Sequence, residues 1–305
     1  MRDLVLHHHD PSPFAEKIRL VFGLKGLEWS SVQVPMIMPK PDLTALTGGY
    51  RKAPVLQIGA DIYCDTSLIA RELESRFPEP TLFPAGHRGL SYALARWSDK
   101  AFFEPGAGLS MGENKDIPQP VLEDRSNFFE FMDFDRMADE MPNCYAQFQA
   151  QCQLLEDELA SQQQDFLGGE KPSWIDIQAY FSVWMANGNI PRASELLAPF
   201  GEIEAWSARM ESIGRGKRHD IGASDALAMA RDASPFGGGH VAENPFNDFS
   251  EGDAVVVLPD DYGFDPVSGE LASLDNHRIT VVRHTDDLGD IAVHFPRIGY
   301  RISHA

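Results

Sequence analysis

The sequence predicts an α/β layer, an all-helical segment and a small all-β module, in that order along 305 residues. Short apolar strands alternate with helical segments over residues 1–83, which is typical of an α/β layer. Apolar residues then recur at helical spacing from about residue 90 to residue 233. After residue 250 the apolar period changes to two, in DAVVVL, ITVV and IAVHF. We therefore expect domains at residues 1–83, 88–235 and 251–305, with a Gly- and Pro-rich linker at residues 236–250.

The first strand and helix follow from local signals. LVLH predicts a strand, and Phe14, Ile18 and Val21 repeat at the spacing of a helix over residues 14–25. Pro13 suits the first helical position, and Ser12 is a good N-cap. Ser12 therefore lies at the positive end of a helix dipole, where it serves as an ordinary cap or helps to hold an anion.

The rest of the α/β layer is predicted in the order strand, helix, strand, strand, helix. WSSVQV alternates as a strand, and residues 39–46 form a short helix. VLQI and DIYC predict two strands joined at Gly59–Ala60, which is a hairpin signal. Asp65 or Thr66 then caps a helix over residues 67–77, which ends before two prolines.

Three features mark the later segments. Residues 104–120 are rich in Gly and Pro, which predicts a loop or a broken helix. Ser173 precedes Asp176 by three residues, which predicts a capping box at the start of a buried helix, and residues 225–233 form one more helix. The C-terminal strands predict a small β-barrel of the SH3-like type. Its role stays open among packing onto the rest of the protein, dimer support and partner binding.

Composition excludes several classes of protein. Hydrophobic residues make up 43% of the chain, which supports packed cores and is not typical of disorder. No run approaches the roughly 18 apolar residues that a membrane span needs. The net charge is −20, and an acidic surface repels phosphate backbones, so no nucleic-acid partner is expected. The three cysteines lack metal or redox spacing and indicate a reduced, cytoplasmic protein.

Four stretches together resemble the glutathione transferase family. SPFAEKIRL resembles the first active-site turn and helix of that family, and RKAPVL resembles the segment whose proline is cis. DTSLIARELESRFP resembles the acid–hydroxyl turn that holds the glutamyl end of glutathione, and FLGGEKPSWIDIQAY resembles the capping segment of a core helix. The resemblance covers roughly residues 3–235. It implies a thioredoxin-like N-terminal domain, an all-helical second domain and a homodimer, and the β-rich tail resembles one seen on some bacterial members.

The resemblance also implies that glutathione is the cosubstrate and that Ser12 contacts its thiol. A serine hydroxyl at a helix N-terminus favours a thiolate, although Ser12 as a plain helix cap is the alternative. A cis Pro54 would expose the backbone of Ala53 to the cysteinyl part of glutathione, whereas a trans Pro54 would only end a loop. Asp65 and Thr66 would bind the glutamyl end of the ligand, or cap a helix with no ligand.

Further site residues are assigned with their alternatives. Phe14 is placed in the glutathione site, and Lys52 or Lys40 would meet the glycyl carboxylate unless both are solvated surface charges. A pocket for the second substrate is expected to be apolar, with ordinary core packing as the alternative. Its candidate residues are His9 at the mouth and Tyr92, Trp97, Phe102 and Phe103 in the wall. No metal is expected, because only His7 and His9 share a strand face and no third ligand converges on them.

The function expected from these residues is glutathione-dependent transfer to a hydrophobic electrophile, in the service of detoxification. One alternative is a non-catalytic binding or scaffold protein that retains the fold. A second alternative is a disulfide-reducing enzyme, which would need a reactive cysteine where this chain has Ser12. Cys64 lies in a predicted strand and is expected to be a small core residue.

Overall fold

A computed structural model describes residues 4–161, 164–235 and 239–305. The chain forms two compact units, and each unit combines segments that are distant in the sequence. The first unit contains the described part of Met1–Asp10 together with Glu28–Glu72 and Arg218–Ala305. The second unit contains Pro11–Leu27 and Leu73–Lys217. The first helix therefore groups with the helical segment, and the C-terminal strands group with the N-terminal strands.

The described residues form ten strands in one sheet. They are β1 (Val5–His8), β2 (Glu28–Gln33), β3 (Val55–Ile58), β4 (Asp61–Cys64), β5 (Lys217–Asp220), β6 (Ala254–Pro259), β7 (Val267–Leu274), β8 (Arg278–Thr285), β9 (Gly289–Pro296) and β10 (Tyr300–His304). Their order in the sheet is β10-β6-β7-β8-β9-β4-β3-β1-β2-β5. β1 runs parallel to β2 and antiparallel to β3, and β3 and β4 form the predicted hairpin.

The C-terminal strands extend the sheet that the N-terminal strands begin. β9 pairs in parallel with β4, with Tyr63 opposite His294. The buried His294 shares hydrogen bonds with Asp61 at 3.0 Å and with Thr280 at 2.9 Å, and its ring stacks on Tyr63 at 4.4 Å. The predicted C-terminal strands are confirmed, but the sequence patterns do not predict this pairing, because either edge of a strand offers the same backbone groups.

One apolar core joins side chains from both ends of the chain. Leu46 and Ile62 are fully buried in the same cluster as Val255, Val281 and Phe295. The C-terminal strands thus bury their apolar face in a core that the N-terminal segment helps to form. In the predicted linker at 236–250, residues 236–238 lie outside the described residues. Further along it, Val241 makes a bridge to Leu274 of β7.

The described residues also form eleven α-helices, none of them long and apolar enough to cross a membrane. A short π-helical segment, Trp97–Phe102, connects two of them. The helices are α1 (Pro13–Leu24), α2 (Pro41–Thr47), α3 (Thr66–Arg76), α4 (Arg88–Arg96), α5 (Phe103–Glu113), α6 (Gln119–Phe128), α7 (Met137–Ser161), α8 (Trp174–Asn189), α9 (Ala193–Leu197), α10 (Gly201–Ser212) and α11 (Ala223–Arg231).

Of the two alternatives predicted for residues 104–120, a loop or a broken helix, the structure shows the broken helix. The chain stays helical through Glu113, and the break is confined to residues 114–118. The glycines allow close helix packing: a Cβ atom at Gly106 would lie 2.6 Å from Met185 Cε, and one at Gly108 would lie 2.8 Å from Cys144 Sγ. The loop alternative is wrong because Gly106 and Gly108 do not interrupt the helix; they remove a steric conflict between helices.

The buried helix α8 begins as predicted. Ser173 is its N-cap, and the backbone N–H and side-chain hydroxyl of Ser173 both donate to Asp176, at 3.0 and 2.6 Å. Trp206 of α10 donates to the same carboxylate at 3.0 Å. The capping box therefore ties the start of α8 to a second helix of the same unit.

Candidate functional site

The Ser12 turn lies at the N-terminus of α1. Ser12 has extended backbone angles, its Oγ accepts a hydrogen bond from the Ala15 N–H at 3.2 Å, and Pro13 takes the first helical position. The side chain is buried, with 3% exposure. A hydroxyl has one proton and two lone pairs, so the Ala15 contact does not use the proton that an anion would accept. The predicted cap is confirmed, and contact with a thiol stays a prediction.

A buried ion network surrounds the first turns of α1. The Glu16 carboxylate is fully buried, with Arg19 Nε at 2.7 Å and Arg215 Nη2 at 2.8 Å. Arg19 also donates to the backbone oxygen of Ser12 at 3.5 Å. Two guanidiniums therefore share one fully buried carboxylate, and the nearby Glu211 carboxylate balances the second positive charge. Sequence analysis missed this network because Arg215 lies 199 residues after Glu16.

Phe14 belongs to an aromatic cluster of the second unit. Its ring centroid lies 4.8 Å from that of Phe103 and 5.1 Å from that of Phe181. The buried Lys17 places its ammonium 3.9 Å from the centre of the Phe181 ring and pairs with Asp99. These contacts fix the orientation of Phe14, and its contact with glutathione stays a prediction.

The predicted ligand-binding turns of the first unit lie side by side. The Ala53–Pro54 peptide bond is cis, as predicted. β3 begins at Val55, which is paired with Cys64 at the end of β4. Pro54 and Asp65 are the next residues outward on the two paired strands. The β3–β4 register therefore brings the predicted cysteinyl and glutamyl binding segments together.

Asp65 holds an unusual backbone conformation before α3. Its φ angle is +74°, in the left-handed region that residues other than glycine rarely adopt. The Asp65 carboxylate accepts a hydrogen bond from the Ser67 N–H at 2.8 Å, so Asp65 caps the helix that Thr66 begins. Thr66 is buried, with 4% exposure. Strained conformations of this kind cluster at functional sites, which fits the predicted binding role of the turn.

Lys52 and Lys40 both bind oxygen atoms of the first unit. Lys52 Nζ lies 2.6 Å from Asp261 Oδ1 and 4.0 Å from the centre of the Tyr262 ring, and the lysine side chain is 12% exposed. Lys40 is buried and donates to the backbone oxygen of Arg51 at 3.0 Å. Neither is a solvated surface charge. The C-terminal partner of Lys52 was missed because it lies 209 residues away in the sequence.

The structure places the candidate residues of the second-substrate pocket in different surroundings. Phe102 is fully buried and packs on Phe148 at 5.1 Å, which puts it in the core of the helical unit. Phe103 is also buried, whereas Trp97 is half-buried and donates to Gln151 at 2.7 Å. Tyr92 packs against Phe83 and Trp174, and the half-buried His9 follows β1 in the first unit.

A cavity of about 420 Å³ lies along α5 and α7 of the second unit. Its lining includes Glu104 and Gly108 from α5, Cys144 from α7 and Phe131 from the connection between α6 and α7. Burial raises the pKa of the Glu104 carboxyl. Sequence analysis missed this cavity because the α5 residues lie in the stretch that was predicted to be a loop or a broken helix.

His7 and His8 of β1 form side-chain hydrogen bonds to the neighbouring strands of the sheet. His7 shares a hydrogen bond with Gln57 at 2.7 Å, and His8 shares one with Ser31 at 3.0 Å. Burial lowers the pKa of His7 to about 4, and the Gln57 hydrogen bond offsets part of this shift. Within the described ranges, no three His, Cys, Asp or Glu side chains are grouped as a metal would need.

Burial makes the cysteines poor nucleophiles. It raises the pKa of Cys64 well above its usual value, that of Cys152 to about 12, and that of the half-buried Cys144 as well. The thiolate is the reactive form of cysteine. These environments therefore argue against the disulfide-reducing alternative.

Two family models match the chain in the predicted order. The model described as "Glutathione S-transferase, N-terminal domain" matches residues 6–81, and "Glutathione S-transferase, C-terminal domain" matches residues 126–213. The first match contains Ser12, Pro54 and the Asp65–Thr66 turn, and the second contains the capping residue Ser173.

Individual relatives agree with these matches. A probable glutathione transferase of Aplysia californica is 36% identical over 93 residues, which cover 30% of this chain and 91% of that protein. The crystal structure of a GST-like protein from Pseudomonas syringae aligns over 100% of both chains, with 34% identity and a TM-score of 0.77. A Tau class glutathione S-transferase from mango aligns over 75% of this chain and 96% of its own, with 14% identity and a TM-score of 0.54, which shows a shared fold.

Proposed function

Because the chain belongs to the glutathione transferase family, we propose that it binds glutathione and activates its thiol at Ser12 for attack on a hydrophobic electrophile. The observation that carries this proposal is the Ser12 turn. At this turn a buried hydroxyl coincides with the N-terminus of a 12-residue helix. Both features favour a sulfur anion over a neutral thiol.

Ionisation of the thiol by itself raises the reaction rate only a few-fold. A thiol with a pKa of about 8.5 is about 3% ionised at pH 7, and lowering that pKa by roughly two units makes it about three-quarters ionised. Intrinsic nucleophilicity falls with pKa, by very roughly eightfold over the same range, which leaves a net gain of about threefold. Most of the rate acceleration would then come from holding the thiolate and the electrophile together.

The reaction requires no covalent bond to the protein. The thiol proton leaves to water, the Ser12 hydroxyl donates a hydrogen bond to the thiolate, and the sulfur forms a bond to the electrophilic carbon. In a substitution, the leaving group departs with the electron pair of the broken bond. Serine forms no mixed disulfide, so Ser12 suits a role in which glutathione itself is the nucleophile.

The first unit supplies the proposed peptide-binding groups. Ala53, next to the cis Pro54, lies just before β3 and offers backbone groups to the cysteinyl part of glutathione. The start of α3 offers the Thr66 hydroxyl and backbone N–H to the glutamyl carboxylate, and the Asp65 carboxylate offers a partner to the glutamyl amino group.

A non-catalytic binding or scaffold protein is the second candidate function. The observation that favours it is the burial of Phe102 and Phe103, two of the residues assigned to the second-substrate pocket. As parts of the proposal from family membership, we retain a homodimer, a cytoplasmic location and a role in detoxification.

Calorimetric titration with glutathione tests the proposal, together with ultraviolet detection of the thiolate of bound glutathione. We expect the wild-type protein to bind at millimolar concentration or below, and Thr66→Ala to weaken binding by about tenfold, because a hydrogen bond to a charged group is lost. Ser12→Ala should retain binding but lose the thiolate absorbance at pH 7. Ser224→Ala, an exposed serine at the start of α11, is the matched control and should change neither quantity. Absence of binding would reject the transferase mechanism and favour the scaffold function.

A further inference from the structure

We infer that Asp261, in the loop between β6 and β7, determines the ligand specificity of the glutathione site by neutralising Lys52. This inference rests on the proposed function. Lys52 stands immediately before Ala53 and is one of the two lysines assigned to the glycyl carboxylate of glutathione; the other, Lys40, is buried against the Arg51 carbonyl oxygen. In the structure its ammonium is already paired with a carboxylate of the protein, at 2.6 Å.

The contact between Lys52 and the loop is well defined. The Lys52 ammonium lies over the Tyr262 ring, 4.0 Å from its centre, and the Tyr262 backbone N–H donates to Asp261 Oδ1 at 2.8 Å. The lysine side chain is 12% exposed and the Asp261 side chain 43% exposed. A pair with one mostly buried member is screened less by water than a pair of fully exposed charges.

Both partners are held close to this contact by other bonds. The Asp260 N–H donates to the Gly299 carbonyl oxygen at 3.0 Å, which ties the start of the loop to the residue before β10. Tyr300, the first residue of β10, shares a buried hydrogen bond with Tyr50 at 3.0 Å. Tyr50 lies two residues before Lys52. The loop is therefore fixed on the segment that carries the lysine, and the ordering cost of the pair is low.

A fixed internal carboxylate competes with a ligand carboxylate for the same ammonium. The glycyl carboxylate of glutathione must displace Asp261, or it must bind beside an ammonium that Asp261 already neutralises. Because one carboxylate replaces another in the first case, the exchange adds little to the binding free energy. The site should therefore accept a γ-glutamyl peptide with a neutral glycyl end as well as it accepts glutathione itself.

A pair of ligands that differ only at this end tests the inference. Glutathione and its glycine monoethyl ester are titrated by calorimetry into the full-length wild-type protein, Asp261→Asn and Asp265→Asn. The wild-type affinities for the two ligands should agree within about twofold. Asp261→Asn frees Lys52, so glutathione should bind about tenfold more tightly while the affinity for the ester is unchanged. Asp265→Asn removes the same charge from the same loop without a contact to Lys52, and it should match the wild-type protein.

The possible failures are distinguishable. A wild-type preference for glutathione of tenfold or more that Asp261→Asn leaves unchanged would overturn the role of Asp261 and leave the proposed function intact. Failure of both ligands to bind any variant would overturn the proposed function and this inference with it.

Discussion

The buried His7 should make the stability of the protein depend on pH between 4 and 6.5. His7 lies on β1 with 1% exposure, and burial lowers its pKa from 6.5 to about 4, although the Gln57 hydrogen bond and the charge of Asp42 act in the opposite direction. The unfolded chain therefore binds a proton on this residue that the folded protein does not. Because the folded-state pKa is depressed, the stabilising contribution is complete above pH 6.5 and is lost as the pH falls towards 4.

The size of the effect follows from the two pKa values. With a pKa of 6.5 in the unfolded chain and about 4 in the folded protein, lowering the pH from 7 to 5 costs about 2 kcal/mol at this one residue. The buried His294 acts in the same direction, because burial lowers its pKa as well. Both contributions make the folded protein less stable in mild acid.

Urea unfolding at pH 7 and pH 5 measures this contribution. In His7→Gln the difference in unfolding free energy between the two pH values should shrink by about 2 kcal/mol relative to the wild-type protein. His284→Gln is the control, because hydrogen bonds to Asp290 and Glu270 raise the pKa of this exposed histidine. Its removal should not reduce the acid sensitivity. An unchanged pH difference in His7→Gln would refute the reasoning from burial.

Two further predictions concern packing and the sheet junction. Gly106→Ala should lower the unfolding free energy by about 1–3 kcal/mol, because its Cβ would lie 3.0 Å from the fully buried Phe148 ring, which leaves the buried Met185 Cε, at 2.6 Å, little room to move away. Gly188→Ala, where a Cβ meets open space in α8, should raise it by about 0.5–1 kcal/mol, and equal effects in urea melts would contradict this packing argument. His294→Ala removes the hydrogen bonds to Asp61 and Thr280 and the stacking on Tyr63, and should cost about 3 kcal/mol in the same assay. A loss below 1 kcal/mol would contradict the assigned role of these contacts.

Local sequence signals determine most of the secondary structure near the candidate site. Ser12 and Pro13 act within one turn of α1, and the capping box of Ser173 and Asp176 spans three residues, so the groups involved are already neighbours in the chain. Resemblance of motifs identified the cis Pro54 and the family. The two helix caps could be predicted because each depends on contacts between residues that are close in the sequence.

Tertiary structure decided the features whose partners are far apart in the sequence. Nothing in IAVHF identifies β4 as the neighbour of β9, and nothing near Lys52 identifies Asp261 as its partner. The packing role of Gly106 and Gly108 could not be predicted, because the side chains that occupy the space beside them come from α7 and α8. The sequence alone determined most of the helices and strands and the position of the Ser12 turn at the start of α1. Folding alone decided which charges meet and which aromatic rings are buried, because burial and pairing depend on three-dimensional neighbours.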